Sequence, residues 1–211
     1  MKKLLVATTN PGKLKEISNF LSDLPLKIIS LSGIGITDRV EEVGKNYKEN
    51  SQLKALFYSS KSGLPTIADD GGIEISALDG APGINSKRWL GKDSTEQDII
   101  NHMIKVANEL PDNNRQAKFK TVISLALPNG EVWSVEGEIE GIIAREPYLK
   151  ALKGYPYRSF FYLPELKKYY HEDQLTQEEE KVYNHRHKAI EKLKSIISRE
   201  LNIKNKKWKI L

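Results

Sequence analysis

Short apolar blocks alternate with helix-like stretches along the first half of the chain. The blocks KKLLVATT and LKIISL have the length and the β-branched residues of buried strands. Between them lies a segment that begins with a cap and a proline and continues with apolar residues at helical spacing. These residues are Asn10, Pro11, Leu14, Ile17 and Leu21. We therefore predict a strand, a helix and a second strand.

Apolar stripes and terminal signals predict the next two helices. In residues 38–63, a polar loop leads into a helix that Gly63 ends. We expect the inner face of this helix to carry Leu53, Leu56 and Phe57. Residues 94–110 predict another helix, with the capping-box spacing of Ser94 and Gln97. Its expected stripe consists of Ile100, Met103, Ile104 and Ala107.

The rest of the chain adds strands and a last helix. LPTIADDGG predicts a strand that ends in two carboxylates and a two-glycine turn, and IEISAL alternates like a half-exposed strand. KFKTVISLAL, PNG and EVWSVEGEIEGII form the pattern of a β-hairpin. After an irregular aromatic stretch, the last helix is predicted to start at Thr176, which has capping-box spacing to Glu179. Strands that alternate with helices indicate an α/β fold with a mixed sheet.

Composition narrows the class of protein. The chain has 211 residues, of which 39% are hydrophobic and 29% are charged, and we predict one domain over residues 1–211. No apolar run is long enough to cross a bilayer. Without cysteine, neither a disulfide nor a thiol nucleophile is available. We expect a cytoplasmic protein. The net charge of +5 fits either a nucleotide-binding protein or an ordinary lysine-rich surface.

The segment ATTNPGK, residues 7–13, joins the first strand to the first helix. Such a junction presents free backbone N–H groups and the positive end of a helix, which suits phosphate. Thr8, Thr9 and Asn10 add polar side chains, Gly12 permits close approach, and Lys13 adds a charge that we expect to be exposed. The alternative is that Asn10 and Pro11 simply start a helix.

Paired carboxylates stand at the end of the third predicted strand. Asp69 and Asp70 repel each other unless a cation lies near them. A hard cation such as Mg²⁺ takes oxygen ligands, and Glu41 or Glu42 would add a third carboxylate. The alternative is a turn at Asp70-Gly71 and a solvated glutamate pair.

Aromatic and basic residues come together late in the chain. The stretch GYPYRSFFYLP precedes NHRH, which contains His185, Arg186 and His187. Aromatic rings stack on bases, and arginine donates to the O6 and N7 atoms of a keto purine. The alternative is an exposed helix face beside a core aromatic cluster.

Taken together, these segments resemble a known family, the non-canonical purine nucleoside triphosphate pyrophosphatases, also called inosine or xanthosine triphosphate pyrophosphatases. The resemblance follows the family order over nearly the whole chain. The matching stretches are LVATTNPGKLKEI, EEVGKNYKENSQLKA, IADDGGIEISALDGAPGINSKRW, GEIEGIIAREP and LTQEEEKVYNHRHKAIEKL.

The resemblance implies an elongated mixed sheet flanked by helices, with two lobes and a central active-site cleft. It implies hydrolysis of ITP, dITP and XTP to the monophosphate and pyrophosphate. It also implies Mg²⁺ as cofactor and a homodimer, with neither nucleic acid nor a membrane as partner.

The resemblance also implies roles for individual residues. Catalysis is expected from Asp70, as the base for water, and from Lys13. Metal binding is expected from Glu41, Asp69 and Asp70. The residues expected to bind substrate are Thr8, Thr9, Asn10, Pro11, Gly12, Lys13, Gly71, Tyr155, Tyr157, Arg158, Lys181, His185 and Arg186.

The chain departs from the family pattern mainly where the base is expected. Gly71 follows the two carboxylates where the family has serine. GYPYRS replaces a GFGYDP-like motif, so that Arg158 stands in place of an acidic residue. Asn184 precedes the His-Arg pair instead of serine. Lys181 lies four residues before His185 instead of five, and Glu180 occupies the family position.

Two other functions compete with the pyrophosphatase. The altered base segment motivates a nucleotide-binding protein with altered base specificity and weak or no catalysis. The net positive charge and the C-terminal lysines motivate a nucleic-acid-binding module, which salt-dependent oligonucleotide binding would test.

Overall fold

The structure is a computed structural model that describes residues 1–91, 93–150 and 152–203. Most of the lysine-rich C-terminal segment, residues 204–211, therefore lies outside the described residues. Within the described part of the chain, no helix combines the length and the apolar character needed to span a bilayer.

Among the described residues, seven strands form one mixed sheet, which confirms the predicted α/β fold. The strands are β1 (Lys2–Val6), β2 (Leu26–Ser30), β3 (Thr66–Ile75), β4 (Gln116–Ala126), β5 (Val132–Ile143), β6 (Phe161–Leu163) and β7 (Lys168–Tyr169), in the order β2-β1-β3-β4-β5-β6-β7. β1 pairs in parallel with β2 and β3, whereas β6 pairs antiparallel with β5 and β7. The turn between β4 and β5 has Gly130 at φ 93°, as the PNG signal predicts.

In the part of the chain that the structure describes, five α-helices accompany the strands. They are α1 (Pro11–Phe20), α2 (Tyr47–Ser62), α3 (Glu96–Glu109), α4 (Gln177–Val182) and α5 (His185–Glu200). The chain divides into two compact units. Of the residues that the structure describes, the first unit contains Met1–Asp70, Val122–Gly137 and residues 186–203, and the second contains those within Gly71–Thr121 and Glu138–His185.

In the first unit, helices cover both faces of the sheet. One core cluster joins Ile67 and Ile123 of the strands to α1 and α5. The other joins Ala68 and Ala126 to α2. Since side chains alternate between the faces of a strand, Ile67 and Asp69 of β3 point towards α1 and α5. Ala68 and Asp70 of β3 point towards α2.

The second unit has its own apolar core. α3 packs on it through Ile99, Met103, Val106 and Ala107. Two aromatic residues from residues 146–175, Phe160 and Phe161, are fully buried there. The aromatic stretch that looks irregular in the sequence therefore supplies much of this core.

Several predicted helix features are wrong in detail. Leu53 and Phe57 of α2 are exposed, and the buried face carries polar residues such as Asn50 and Ser51. In α3, Ile104 is exposed while Ile99 is buried. The correction in α2 arises because hydropathy alone does not reveal which polar side chains find partners inside the protein.

Helix ends also differ from the prediction. α3 is capped by Thr95, whose backbone and hydroxyl pair with Asp98, instead of by Ser94 and Gln97. The Thr176–Glu179 capping box is confirmed. The helix that it starts ends at Val182, and a second helix begins at His185.

The predicted turn at Gly71 and Gly72 is wrong, because β3 runs straight through both glycines. A Cβ atom on Gly71 would lie 2.4 Å from the Lys120 carbonyl oxygen. A Cβ on Gly72 would lie 2.2 Å from the Ser86 Oγ. The glycines therefore serve close packing of the backbone.

Candidate active site

The two adjacent carboxylates of β3 lie on opposite faces of the sheet. The Asp69 side chain points to the face that α1 and α5 cover. The Asp70 side chain points to the face that α2 covers. Both residues are buried, at 4% and 7% exposure. Each carboxylate therefore meets a different set of cations.

Asp69 joins two cations on the α1 and α5 side. Its Oδ2 lies 2.9 Å from the Lys13 Nζ and 3.2 Å from the Arg186 Nε. Arg186 also reaches Glu16 of α1, with 2.6 Å between its terminal nitrogen and Oε2. Burial alone would raise the pKa of Asp69, but Lys13, Arg186 and Lys54 outweigh it and hold that pKa well below its usual range. Asp69 is therefore a charged anchor for Lys13 and Arg186.

Lys13 is not the freely exposed side chain that the sequence predicts. Its side chain is 23% exposed and pairs with Asp69. Burial lowers the pKa of Lys13; Asp69 opposes that effect, and Arg186 and Lys54 add to it. Three cations near one another favour the arrival of further negative charge.

Asp70 is held by two residues of α2. The Lys54 Nζ lies 3.1 Å from Asp70 Oδ1 and 2.8 Å from Glu42 Oε1. The Asn50 side chain donates to Asp70 Oδ2 at 3.1 Å. Burial and the nearby Glu42 raise the pKa of Asp70, although Lys54 opposes them. A carboxylate with a raised pKa is a better proton acceptor near neutral pH.

Lys54 remains charged between these carboxylates. Burial alone would lower its pKa, but Asp70 and Glu42 outweigh that effect and raise it. We did not predict Lys54 or Asn50 as site residues. A signal was present, since the two are four residues apart and lie on one face of a helix that would otherwise bury apolar side chains.

Segment 7–13 starts α1, as one of the two alternatives predicts. The Asn10 Oδ1 accepts from the backbone nitrogens of Gly12 and Lys13, at 2.8 and 3.2 Å, so Asn10 caps α1. The Thr8 hydroxyl oxygen accepts from the Asn10 backbone nitrogen at 3.2 Å. Thr9 and Pro11 are exposed. The phosphate-binding role of this segment stays a prediction.

The predicted metal ligands do not come together as one group. Glu41 is exposed, and the glutamate that shares Lys54 with Asp70 is Glu42. Asp69 is occupied by Lys13 and Arg186 on the other face. Within residues 1–91, 93–150 and 152–203, no three His, Cys, Asp or Glu side chains form a metal-binding group. Asp70 and Glu42 are thus the carboxylates best placed for a cation, since Lys54 already occupies a position between them.

In the second unit, the Arg158 guanidinium lies close to two tyrosine rings. Its guanidinium carbon is 3.9 Å from the centroid of the Tyr155 ring and 4.3 Å from that of Tyr170. Arg158 is only 4% exposed. The rings present their negative faces to the cation, which stabilises its burial. The structure thus accounts for this departure from the family pattern by packing, and contact with a base stays a prediction.

The other predicted base-binding residues have separate surroundings. The Tyr157 hydroxyl donates to the Ser86 carbonyl at 2.6 Å, and burial raises its pKa. His185 is stacked on Phe119 and lies 3.2 Å from the Tyr170 hydroxyl. Lys181 is exposed on α4. Arg186 belongs to the Asp69 group.

Comparison with known proteins identifies a family. The family model described as the Ham1 family matches residues 4–196. A dITP/XTP pyrophosphatase of Desulforamulus reducens is 36% identical over 197 residues, which cover 93% of this chain and 96% of the relative. One from Thermoanaerobacter pseudethanolicus is 37% identical over 202 residues, covering 96% of this chain and 100% of the relative.

Solved structures agree with this assignment. A HAM1 protein from Coxiella burnetii superposes with a TM-score of 0.79 at 33% identity, covering 94% of this chain and 100% of that one. The Ham1 protein of Staphylococcus aureus gives 0.77 at 31% identity with the same coverage. The resemblance found in the sequence is confirmed, and the chain belongs to the Ham1 family.

Proposed function

We propose that this protein hydrolyses non-canonical purine nucleoside triphosphates such as dITP, ITP and XTP to the monophosphate and pyrophosphate. The observation that carries the proposal is the pair of carboxylates on β3. Asp69 holds Lys13 and Arg186, while Asp70 has a raised pKa beside Lys54. Relatives whose match covers more than nine-tenths of the chain are named dITP/XTP pyrophosphatases, which supports the substrate class.

In this proposal Asp70 accepts a proton from the attacking water. Water oxygen bonds to phosphorus, the link between the α- and β-phosphates breaks, and pyrophosphate leaves. Lys13 and Lys54 contribute positive charge towards phosphate oxygens, whose negative charge grows during the reaction. Asp69 keeps Lys13 and Arg186 in place, because its buried charge needs both cations.

Mg²⁺ is a proposed cofactor, and the residues on the α2 side fit it. Mg²⁺ in proteins is bound by one or two carboxylates together with substrate phosphates. Asp70 and Glu42 would hold it in place of the Lys54 ammonium group, which lies 3.1 Å from Asp70 Oδ1 and 2.8 Å from Glu42 Oε1 and would then be released towards the phosphate oxygens. When bound, Mg²⁺ would neutralise negative charge on the phosphate oxygens.

Pyrophosphate release from a panel of nucleotides tests the function. Purified protein is incubated with dITP, ITP, XTP and the four standard ribonucleoside triphosphates, with Mg²⁺ and with a chelator. We expect release from the first three, and we expect the chelator to abolish it. Nucleotide binding without release would favour the alternative of a nucleotide-binding protein.

Asp70→Asn is the matched inactive variant. An amide neither accepts the proton nor holds a metal well, so we expect turnover to fall by about 10² to 10⁴-fold. Circular dichroism should show the wild-type fold. A folded variant with wild-type turnover would remove Asp70 from the reaction.

A homodimer and a cytoplasmic location are also proposals, and both derive from the family resemblance and the composition. Light scattering coupled to size-exclusion chromatography tests the dimer, and fractionation of the source cells tests the location.

A further inference from the structure

The Asn50 side chain uses both ends of its amide inside the first unit. It is fully buried, with 0% exposure. Its Nδ2 donates to Asp70 Oδ2 at 3.1 Å, and its Oδ1 accepts from the Gly44 backbone nitrogen at 2.8 Å. Asn50 therefore connects Asp70 with the segment that precedes α2.

The Gly44 contact fixes which way the amide points. Only the oxygen of an asparagine amide accepts a hydrogen bond, and only its nitrogen donates. Because the Gly44 N–H needs an acceptor, the Asn50 oxygen must face Gly44. The NH₂ group is then directed at the Asp70 carboxylate.

This approach leaves no room for a side chain at position 44. A Cβ atom on Gly44 would lie 2.6 Å from Asn50 Oδ1 and 2.9 Å from the Asn50 backbone nitrogen. Gly44 also lies two residues after Glu42. The hydrogen bond between Gly44 and Asn50 therefore restrains the chain next to the glutamate that shares Lys54 with Asp70.

The two oxygens of Asp70 have different partners on one helix. Asn50 holds Oδ2, and Lys54, four residues later, holds Oδ1. Residues four apart lie on the same face of a helix. Two such contacts fix the plane of the carboxylate as well as its position.

We propose that Asn50 is a positioning residue for the hydrolysis, which holds the Asp70 carboxylate and the Glu42 segment in one arrangement through the Gly44 hydrogen bond. The inference rests on the proposed function. Asn50 itself contacts neither substrate nor water in this role. Its effect is on the rate of the chemical step more than on substrate binding.

The test uses two variants that break the arrangement at different places. Asn50→Asp keeps the shape and the acceptor for Gly44 but presents a carboxylate to Asp70. Gly44→Ala leaves Asn50 intact and forces the backbone away from it. Gln52→Ala is the matched control on α2, because the Gln52 amide donates one comparable bond, to the Ser134 Oγ at 3.0 Å. Val43→Ala is the control for the loop, since Val43 is exposed.

For each protein, kcat and KM for dITP are measured by pyrophosphate release, and Mn²⁺ binding without nucleotide is measured by electron paramagnetic resonance. We expect Asn50→Asp and Gly44→Ala to lower kcat by about 10- to 100-fold, with KM changed by less than about three-fold, as for other residues that orient a ligand. Gly44→Ala should weaken Mn²⁺ binding as well. Both controls should keep wild-type values.

If Asn50 and Gly44 only support the fold, the variants that fold should keep the kcat and the Mn²⁺ affinity of the controls. Thermal unfolding is followed for every variant, and Gly44→Ala remains informative if Asn50→Asp does not fold. If wild type releases pyrophosphate while the folded variants keep the kcat and the Mn²⁺ affinity of the controls, the positioning role is overturned and the proposed function stands. If wild type releases no pyrophosphate, the proposed function fails and this inference fails with it.

Discussion

At the scale of the residue, the buried charges of this protein are each surrounded by a specific set of partners. Asp69 is stabilised by two cations, and Lys54 is stabilised by two carboxylates. The guanidinium of Arg158 lies close to the Tyr155 and Tyr170 rings. A desolvated cation–π contact stabilises a protein by about 2 kcal/mol.

Arg158 therefore permits a prediction about stability. We expect Arg158→Ala to lower the free energy of unfolding by at least about 2 kcal/mol, because it removes both ring contacts. Arg158→Lys should recover only part of this, since an ammonium group lacks the planar surface that stacks on tyrosine. Urea unfolding monitored by tyrosine and tryptophan fluorescence measures the difference. Equal stability of Arg158→Ala and wild type would show that the stack contributes nothing.

At the scale of the element, α2 shows why some of the site escapes prediction. Its buried face carries serines that are joined across the unit, with Ser51 2.7 Å from Ser124 and Ser124 2.8 Å from Ser134. In a search for amphipathic helices, these residues and Asn50 count as polar and hence as exposed. The helix itself was predictable from its length and from Gly63, but its orientation was not, because that depends on partners elsewhere in the chain.

In β3, by contrast, the site residues themselves were predictable from the sequence. The carboxylates were recognisable in the sequence because two adjacent acidic residues at the end of an apolar strand are unusual. Their separate roles were not, because the glycine pair suggested that the strand ended there. To predict that the strand continues, one would need to know that the Lys120 backbone and the Ser86 loop pack against the glycines.

The packing of β3 predicts the effect of a single methyl group. Gly72→Ala would place a Cβ 2.3 Å from the Gly83 carbonyl oxygen and 2.2 Å from Ser86 Oγ. We expect a loss of about 1–3 kcal/mol in the free energy of unfolding, as for other overpacked sites. Thermal and urea unfolding measure it, with Ser76→Ala, at an exposed position just after the strand, as the control. An unchanged unfolding midpoint would mean that this backbone shifts freely.

At the scale of the whole molecule, the free energy of unfolding depends on pH through the buried charged groups. The carboxyl of Asp69 has a pKa well below its usual range in the folded protein. In an unfolded chain that pKa is about 3.9. A group whose folded pKa is depressed contributes stability above its unfolded pKa, and this stability is lost as the pH falls below that value.

Asp69→Asn should therefore destabilise the protein most at neutral pH. It leaves Lys13 and Arg186 buried without their shared anion, which costs about 3–5 kcal/mol when one partner of a buried pair is removed. The difference from wild type should shrink as the pH is lowered from about 7 to about 3, through the unfolded pKa. Urea unfolding at several pH values measures it, and the comparison cancels the opposite effect of Asp70, which both proteins share. A difference that does not change with pH would contradict the charge assigned to Asp69.

The alternation of β3 has a consequence for recombining this chain with its relatives. Asp69 and Asp70 point to different faces because side chains alternate without interruption along β3, which runs from Thr66 to Ile75. A chimera that gains or loses one residue before Asp69 within this stretch would turn each carboxylate towards the other's cations, even with every amino acid type retained. Crossover points inside β3 must therefore preserve length, whereas exchanges of residue type at its other positions leave the two carboxylates on their own faces.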